Sequence, residues 1–234
     1  MPAPISVVIP TLNAAAGLGP TLASLTEGLR EGLIAELIIA DGGSEDDIAW
    51  LAEEIGARLV AAPRGRGRQL AAGAQAARGA WLLFLHADTV LDPGWSAAAR
   101  RHMRAHPDAA GWFRLRFDAP GAAARWTAGW ANLRARLFGL PYGDQGLLVR
   151  AQVYRAAGGH PPVALMEDVA LARRLRMRPL DAGATTSAAR YLRDGWLRRG
   201  WINLSTLALY LAGADPERLA RRYERAGRRR LSRR

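Results

Sequence analysis

From residue 5 onward, short runs rich in β-branched residues alternate with amphipathic stretches. Ile5 to Ile9 reads as a strand, Gly17 to Arg30 as a helix and Leu33 to Ala40 as a second strand. Asp41-Gly42-Gly43-Ser44 turns the chain, and Glu45 to Ile55 reads as a helix with Ser44 as its N-cap. Glu45, Asp46 and Asp47 complement the positive end of that helix. A third strand over Arg58 to Ala61 is followed by an Arg- and Gly-rich loop at 63–68, a small-residue helix to Arg78 and a buried strand, Trp81 to Leu85. The pattern predicts an α/β fold in which a mostly parallel, Rossmann-type sheet is flanked by helices.

The second half is less regular. Gly111 to Phe117 and Gly146 to Arg150 read as strands, and Ala122 to Phe138 and Met166 to Arg176 as helices. Trp126, Trp130, Leu133 and Leu137 fall at helical spacing and read as a core stripe; the alternative is that Trp112 and one of these indoles offer an apolar platform to a ligand. Loops 139–145 and 158–165 are the expected mobile connections. Leu197, Trp201, Leu204, Ala208 and Leu211 form another helical stripe, after which Asp215-Pro216-Glu217 starts a basic end helix.

Composition narrows the chemistry. Half of the 234 residues are hydrophobic and 23% are charged, enough for one core that buries roughly 70% of the unfolded surface. With no cysteine, thiolate nucleophiles, iron–sulfur clusters and disulfide frameworks are excluded, and a reducing compartment is expected. No lysine occurs either, so all 33 basic residues are Arg, which removes the P-loop lysine and Schiff-base chemistry. Of the net charge of +12, the segment 217–234 supplies most, with nine Arg against two Glu. Such a tail on a nearly balanced body suits an attachment surface or a solubilising end better than specific nucleic-acid binding. No signal peptide is expected at the N-terminus, and the longest apolar run, 201–213, falls short of the ~20 residues needed to span a bilayer. The expected location is the cytoplasm. The C-terminal stripe and Arg tail suit contact with the inner face of an anionic membrane or packing against the body or a second subunit.

Ligands of open parallel sheets bind beyond the carboxyl ends of the strands. Three such ends are polar: Pro10-Thr11-Leu12-Asn13, Asp41-Gly42-Gly43-Ser44 and His86-Ala87-Asp88-Thr89. Asp41 can accept hydrogen bonds from a nucleoside and Asp88 can hold a hard cation on a diphosphate, the alternative for each being a turn or capping role. Glu167 and Asp168 are adjacent in a first helical turn and project in different directions, for chemistry or for the helix dipole.

In this order and spacing the chain resembles the family 2 glycosyltransferases, inverting enzymes of the GT-A fold. The resemblance rests on Val7-Val8-Ile9-Pro10-Thr11-Leu12-Asn13, on Ile38-Ile39-Ala40-Asp41-Gly42-Gly43-Ser44, on Arg68 to Gly79 leading into Trp81 to Asp88, and on Met166-Glu167-Asp168-Val169-Ala170-Leu171. It covers residues 5 to about 178. Gly65-Arg66-Gly67-Arg68-Gln69 and Leu140-Pro141-Tyr142-Gly143-Asp144-Gln145-Gly146 are similar to the small soluble subgroup associated with radical-SAM proteins and arsenosugar biosynthesis. The resemblance implies a nucleotide-sugar donor contacted by Pro10, Thr11 and Asp41, a divalent metal (Mn²⁺ or Mg²⁺) at Asp88, and Asp168 as catalytic base. Arg66 or Arg68 joins the diphosphate clamp, Glu167 orients the acceptor or a neighbour, and Asp144 and Gln145 reach the acceptor or donor sugar. It implies a catalytic domain over 1–195, divided into a nucleotide-binding half (1–92) and an acceptor half (93–195), with C-terminal helices and the tail over 196–234.

His86 departs from the family's D-x-D metal motif: either it ligates the metal or Asp88 acts alone. No Q-x-x-R-W motif is present, so transfer of a single sugar to an unidentified acceptor is expected. A sugar-phosphate nucleotidyltransferase would carry its glycine-rich loop after the first strand, where Pro10 to Asn13 stand, and a dinucleotide oxidoreductase would need a third glycine after Gly17-Leu18-Gly19. A non-catalytic membrane- or nucleic-acid-binding module on the same fold is the remaining alternative.

Overall fold

The computed structural model describes residues 3–228; Arg229, Arg230, Arg233 and Arg234 of the Arg-rich tail lie outside the described residues. The first half runs β1 (Ile5–Thr11), α1 (Gly19–Arg30), β2 (Ile34–Asp41), α2 (Ile48–Glu54), β3 (Arg58–Ala61), α3 (Arg66–Ala76), β4 (Trp81–Phe84), β5 (Thr89–Leu91) and α4 (Trp95–Ala105). The second runs β6 (Ala110–Phe117), α5 (Ala122–Phe138), β7 (Leu147–Arg150), α6 (Ala151–Ala156), α7 (Glu167–Ala172), β8 (Met177–Thr186), α8 (Ala189–Asp194), α9 (Trp196–Leu211) and α10 (Pro216–Arg228). All eight strands form one sheet in the order β3-β2-β1-β4-β7-β6-β8-β5. β1 to β4 are mutually parallel, as the β/α alternation predicts. β7 runs antiparallel to both β4 and β6, and β5 antiparallel to β8, so the whole sheet is mixed.

The sheet is buried on both faces. Val7 and Ile9 of β1 face one core with Leu25, Trp95 and Phe113, whereas Val8 faces the other with Ile38, Leu70 and Phe84, the period-2 alternation of a two-sided strand. β1 ends at Thr11, two residues beyond the predicted strand, and this carries its polar end past the sheet.

Several expectations are corrected. Ser44 does not cap α2: that helix starts after Asp47, because the Ser44 hydroxyl is used by Asp41. The predicted loop 63–68 is shorter, since α3 begins at Arg66 after Gly65. The predicted helix 166–176 ends at Ala172, and the chain then enters β8, which the sequence pattern does not announce, as it does not announce β5, α4, α6 and α8. Finally, the stripe Trp126, Trp130, Leu133 and Leu137 is not core. Trp126 is 67% exposed, and α5 packs through Ala124, Ala128, Ala131 and Ala135. These small side chains let α5 approach β6, where Asn132 accepts from the Leu115 N–H (2.8 Å) and donates to its carbonyl (3.1 Å). Trp112 is buried, so it is no sugar platform. The α9 stripe is exposed as well, Leu197 at 83%, while Arg199, Thr206 and Leu207 face inward; the stripe does not pack on the body. No helix among the described residues is long and apolar enough to cross a membrane.

Candidate active site

The carboxyl ends of β1, β4 and β8 open into a cavity of about 520 Å³, within the usual size range of ligand sites. Pro10 and Thr11 lie on its floor, His86 and Asp88 follow β4, and Asp144, Glu167 and Asp168 come from the second half. The structure therefore brings together sequence-predicted site residues up to 158 positions apart in the chain, Pro10 and Asp168.

At the β1 and β2 ends, Asp41 organises the backbone. Its Oδ1 accepts from the hydroxyls of Thr11 (3.0 Å) and Ser44 (2.5 Å), and its Oδ2 from the N–H groups of Gly43 (2.9 Å) and Ser44 (2.8 Å). Partial burial works against ionisation, but these donors hold its carboxyl below the usual range. With its four acceptor positions occupied, Asp41 is not among the cavity-lining residues; it fixes Thr11, which is. Gln69, which sequence reading missed, is buried beneath this floor and donates through Nε2 to the carbonyls of Thr11 (2.5 Å) and Ala40 (3.0 Å), tying the two strand ends together.

Of the two arginines expected near a diphosphate, Arg66 lines the cavity and Arg68 is exposed and does not; Arg64 lines it instead. Arg66 opens α3 and lies 3.5 Å from Glu167 Oε1, its side chain 36% exposed. A Cβ at Gly67 would stand 2.3 Å from the Pro161 carbonyl and 3.1 Å from Glu167 Cβ, so a glycine is required where α3 meets loop 158–165 and α7.

Glu167 is 2% exposed. Burial and the neighbouring Asp168 push its carboxyl up, with Arg66 opposing. Asp168 is half-buried on the cavity wall, and each of its oxygens accepts one backbone N–H: Gly143 to Oδ2 (2.8 Å) and Val169 to Oδ1 (2.7 Å). The residue before this pair, Met166, is buried at φ 66°, ψ 23°, a left-handed conformation costly for a side-chain-bearing residue and typical of functional sites.

The loop before β7 closes one side through a short 3₁₀ turn, Gly143–Gln145. Burial raises Asp144 to about 6, Arg134 opposing and Asp168 adding to the rise, and its Oδ1 is buried without a hydrogen-bond partner among the described residues. Gln145, expected to reach a sugar, is fully buried and does not line the cavity. Its amide donates to Asn132 Oδ1 (3.2 Å) and the Phe113 carbonyl (3.4 Å) and accepts from the Tyr142 N–H (3.2 Å), so it builds the loop. The Tyr142 ring lies under the Arg134 guanidinium at 3.5 Å.

His86 lines the cavity, but its Nε2 is buried, has no partner among the described residues, and stands 2.5 Å from where a Cβ at Gly143 would be. Burial and the nearby Arg66 and Arg190 lower its pKa well below the usual value, so the ring is neutral. Asp88 is exposed at the rim. The described residues include no group of three or more His, Cys, Asp or Glu that could hold a metal ion.

A further wall, without a motif in the sequence, comes from the C-terminal helices: Arg190, Tyr191, Arg199, Asn203 and Tyr223. Arg199 is buried, pairs with Asp194 at 3.3 Å, stacks over the Tyr223 ring at 4.2 Å and donates to its hydroxyl. Asn203 donates to the Tyr191 hydroxyl (2.9 Å) and accepts from that of Tyr223 (3.2 Å).

A curled mixed sheet with this cavity at its strand ends is the GT-A arrangement, and the chain belongs to glycosyl transferase family 2, whose model matches residues 6–156. Among curated proteins it is similar to the glucosyl-3-phosphoglycerate synthase of Mycolicibacterium paratuberculosis (strain ATCC BAA-968 / K-10). The two are 34% identical over 95 residues, or 37% of this chain and 29% of that protein, so the match spans less than a third of the relative's length. Among solved structures, S. aureus TarS 1-349 superposes with a TM-score of 0.61 at 15% identity, covering 84% of this chain and 64% of that one. The same protein in complex with UDP-GlcNAc gives 0.60 at 14% identity, covering 96% and 72%. At this identity these likenesses bear on the fold.

Proposed function

We propose that the protein transfers a single sugar from a nucleoside diphosphate sugar to an acceptor hydroxyl, with inversion at the anomeric carbon and Asp168 as base. The observation that carries this reading is Asp168 itself: a carboxylate on the cavity wall, oriented by one N–H on each oxygen and keeping free lone pairs. The acceptor hydroxyl gives its proton to an Asp168 oxygen as its own oxygen bonds to the anomeric carbon. The bond from that carbon to the diphosphate breaks on the opposite face, and the nucleoside diphosphate leaves with the electron pair. Family membership and the UDP-GlcNAc complex of the TarS neighbour support a nucleotide-sugar donor.

In this reading Pro10 and Thr11 contact the nucleoside, Asp41 and Gln69 hold that floor in place, and Arg66 and Arg64 face the diphosphate. The residues at the β4 end fit a divalent ion that arrives with the substrate: Asp88 is the exposed carboxylate there, and the remaining positions fall to phosphate oxygens and water. When bound, Mn²⁺ or Mg²⁺ offsets the charge of the departing diphosphate. His86, its Nε2 packed at Gly143, shapes the loop rather than supplying a second ligand. Glu167, paired with Arg66, orients the neighbouring acid, and Asp144 faces the acceptor side. The finer resemblance to the radical-SAM-associated subgroup and a cytoplasmic location, suggested by the absence of cysteine, belong to this same reading.

The direct test is thermal unfolding against UDP, GDP, CDP and TDP with and without Mn²⁺, followed by turnover of the matching nucleotide sugar. Stabilisation by one diphosphate and Asp168-dependent turnover are expected. No stabilisation by any of them would remove the donor assignment.

A further inference from the structure

We propose that α5 and α9 together form a surface that docks peripherally on an anionic membrane. Of fifteen large hydrophobic side chains exposed among the described residues, ten lie on these two helices, which pack against each other. Such concentration exceeds the scattered apolar exposure normal for a surface. Three of them, Trp126, Trp130 and Trp201, are indoles between 48% and 69% exposed, and tryptophan is the residue that membrane interfaces favour.

Charge selects the occupant. Apart from Arg199, buried in the cavity wall, and Arg134, stacked on Tyr142, α5 and α9 carry Arg125, Arg136 and Arg198 and no Asp or Glu. α10, packed on α9, adds the exposed Arg218, Arg221, Arg222 and Arg225 against the exposed Glu217. An anionic lipid surface complements an apolar strip bordered by arginine, each cation adding attraction to the buried apolar area. A second copy joined through the same strip in a two-fold dimer would bring these cationic helices against each other. Docking is peripheral, since no described helix is long and apolar enough to cross a bilayer. On α9 the inward side carries Arg199 and Asn203 into the cavity while the opposite side carries Leu197, Trp201 and Leu204; the docked surface and the cavity are therefore one helix apart.

The test is co-sedimentation of the full chain with phosphatidylcholine vesicles, with and without phosphatidylglycerol, at low and high salt. Binding is expected to require phosphatidylglycerol and to weaken with salt. Combined Trp126→Ser, Trp130→Ser and Trp201→Ser substitution is expected to lower the vesicle affinity at least about tenfold, because interfacial binding scales with the apolar area inserted. Quenching of wild-type tryptophan fluorescence by acyl-chain-brominated phosphatidylglycerol tests insertion without any substitution. Absence of vesicle binding, absence of quenching, or undiminished binding of a folded triple variant each overturns the proposal. So does a dimer, seen by light scattering, that the triple variant converts to monomer, for the strip is then a subunit interface. None of these outcomes bears on nucleotide binding, which is read separately.

Discussion

Asp168 is held by two short backbone hydrogen bonds that an asparagine can keep only in part, since one amide position donates rather than accepts. Asp168→Asn is expected to lower kcat by about 10²–10⁴-fold, the usual worth of a general base, while the affinity for the nucleoside diphosphate, measured by calorimetry, stays within about a factor of three. Undiminished turnover would take Asp168 out of the chemistry. Asp88→Asn should act oppositely: diphosphate affinity in Mn²⁺ falls by about tenfold or more and loses its dependence on the ion, as expected for a lone protein carboxylate on a substrate-borne cation. Asp144 is exposed to a pH test. Its folded-state pKa of about 6 lies above the ordinary 3.8, so the folded chain holds the proton more tightly. The stabilisation is complete below pH 4 and is lost as pH rises through 6. Asp144→Asn should therefore gain stability over wild type on going from pH 4 to pH 8, by roughly 1–2 kcal/mol after allowing for solvent access. Urea unfolding at the two pH values reads the difference, and a gap that does not widen with pH refutes the burial of that charge.

At the scale of elements, the turn Gly143–Gln145 packs closely on His86, two residues beyond the end of β4. A Cβ on Gly143 would stand 2.5 Å from His86 Nε2, so Gly143→Ala is expected to cost about 1–3 kcal/mol by overpacking and to disturb the N–H that Asp168 uses. Adding His86→Ala opens that space, and the double variant should recover part of the loss in a double-mutant cycle; strictly additive losses would show that the contact is not what the glycine serves. The sequence made β1 to β4 and their polar ends readable because alternation and turn residues are local signals, as in Asp41-Gly42-Gly43-Ser44. It did not reveal which side of α5 is inward. The indole stripe and the alanine stripe are both helical in period, and only the close seating of α5 on β6, with Asn132 on the Leu115 backbone, selects the alanines. Gln145 is hidden for a related reason: a polar residue in a glycine-rich loop looks available until Asn132, the Phe113 carbonyl and the Tyr142 N–H consume it. Gln69 and Arg199 were illegible because their partners lie elsewhere in the chain and no spacing rule connects them.

For the whole molecule, the question is whether the C-terminal helices belong to the catalytic unit. A division between residues 195 and 196 falls at Gly195, a helix junction, yet the cavity crosses it through Arg199, Asn203 and Tyr223. Energetically α10 is peripheral: among the described residues, none of α10 joins the three apolar clusters, although Leu219 is buried. Removing residues 215–234 should thus leave one cooperative unfolding transition, with the sheet core intact. It would nevertheless strip the Tyr223 ring and hydroxyl from Arg199 and free the Tyr191–Asn203 pair. Because a small misplacement of a positioning group can cost about 10²-fold, the truncated chain is expected to lose at least about tenfold in kcat/KM with its fold preserved. A smaller loss in Tyr223→Phe, which keeps the ring over Arg199, would assign most of the effect to stacking. If the truncated chain turned over at the wild-type rate, α10 would be an attachment to an enzyme complete without it, and the part of the cavity wall it supplies, Tyr223, would be incidental to catalysis.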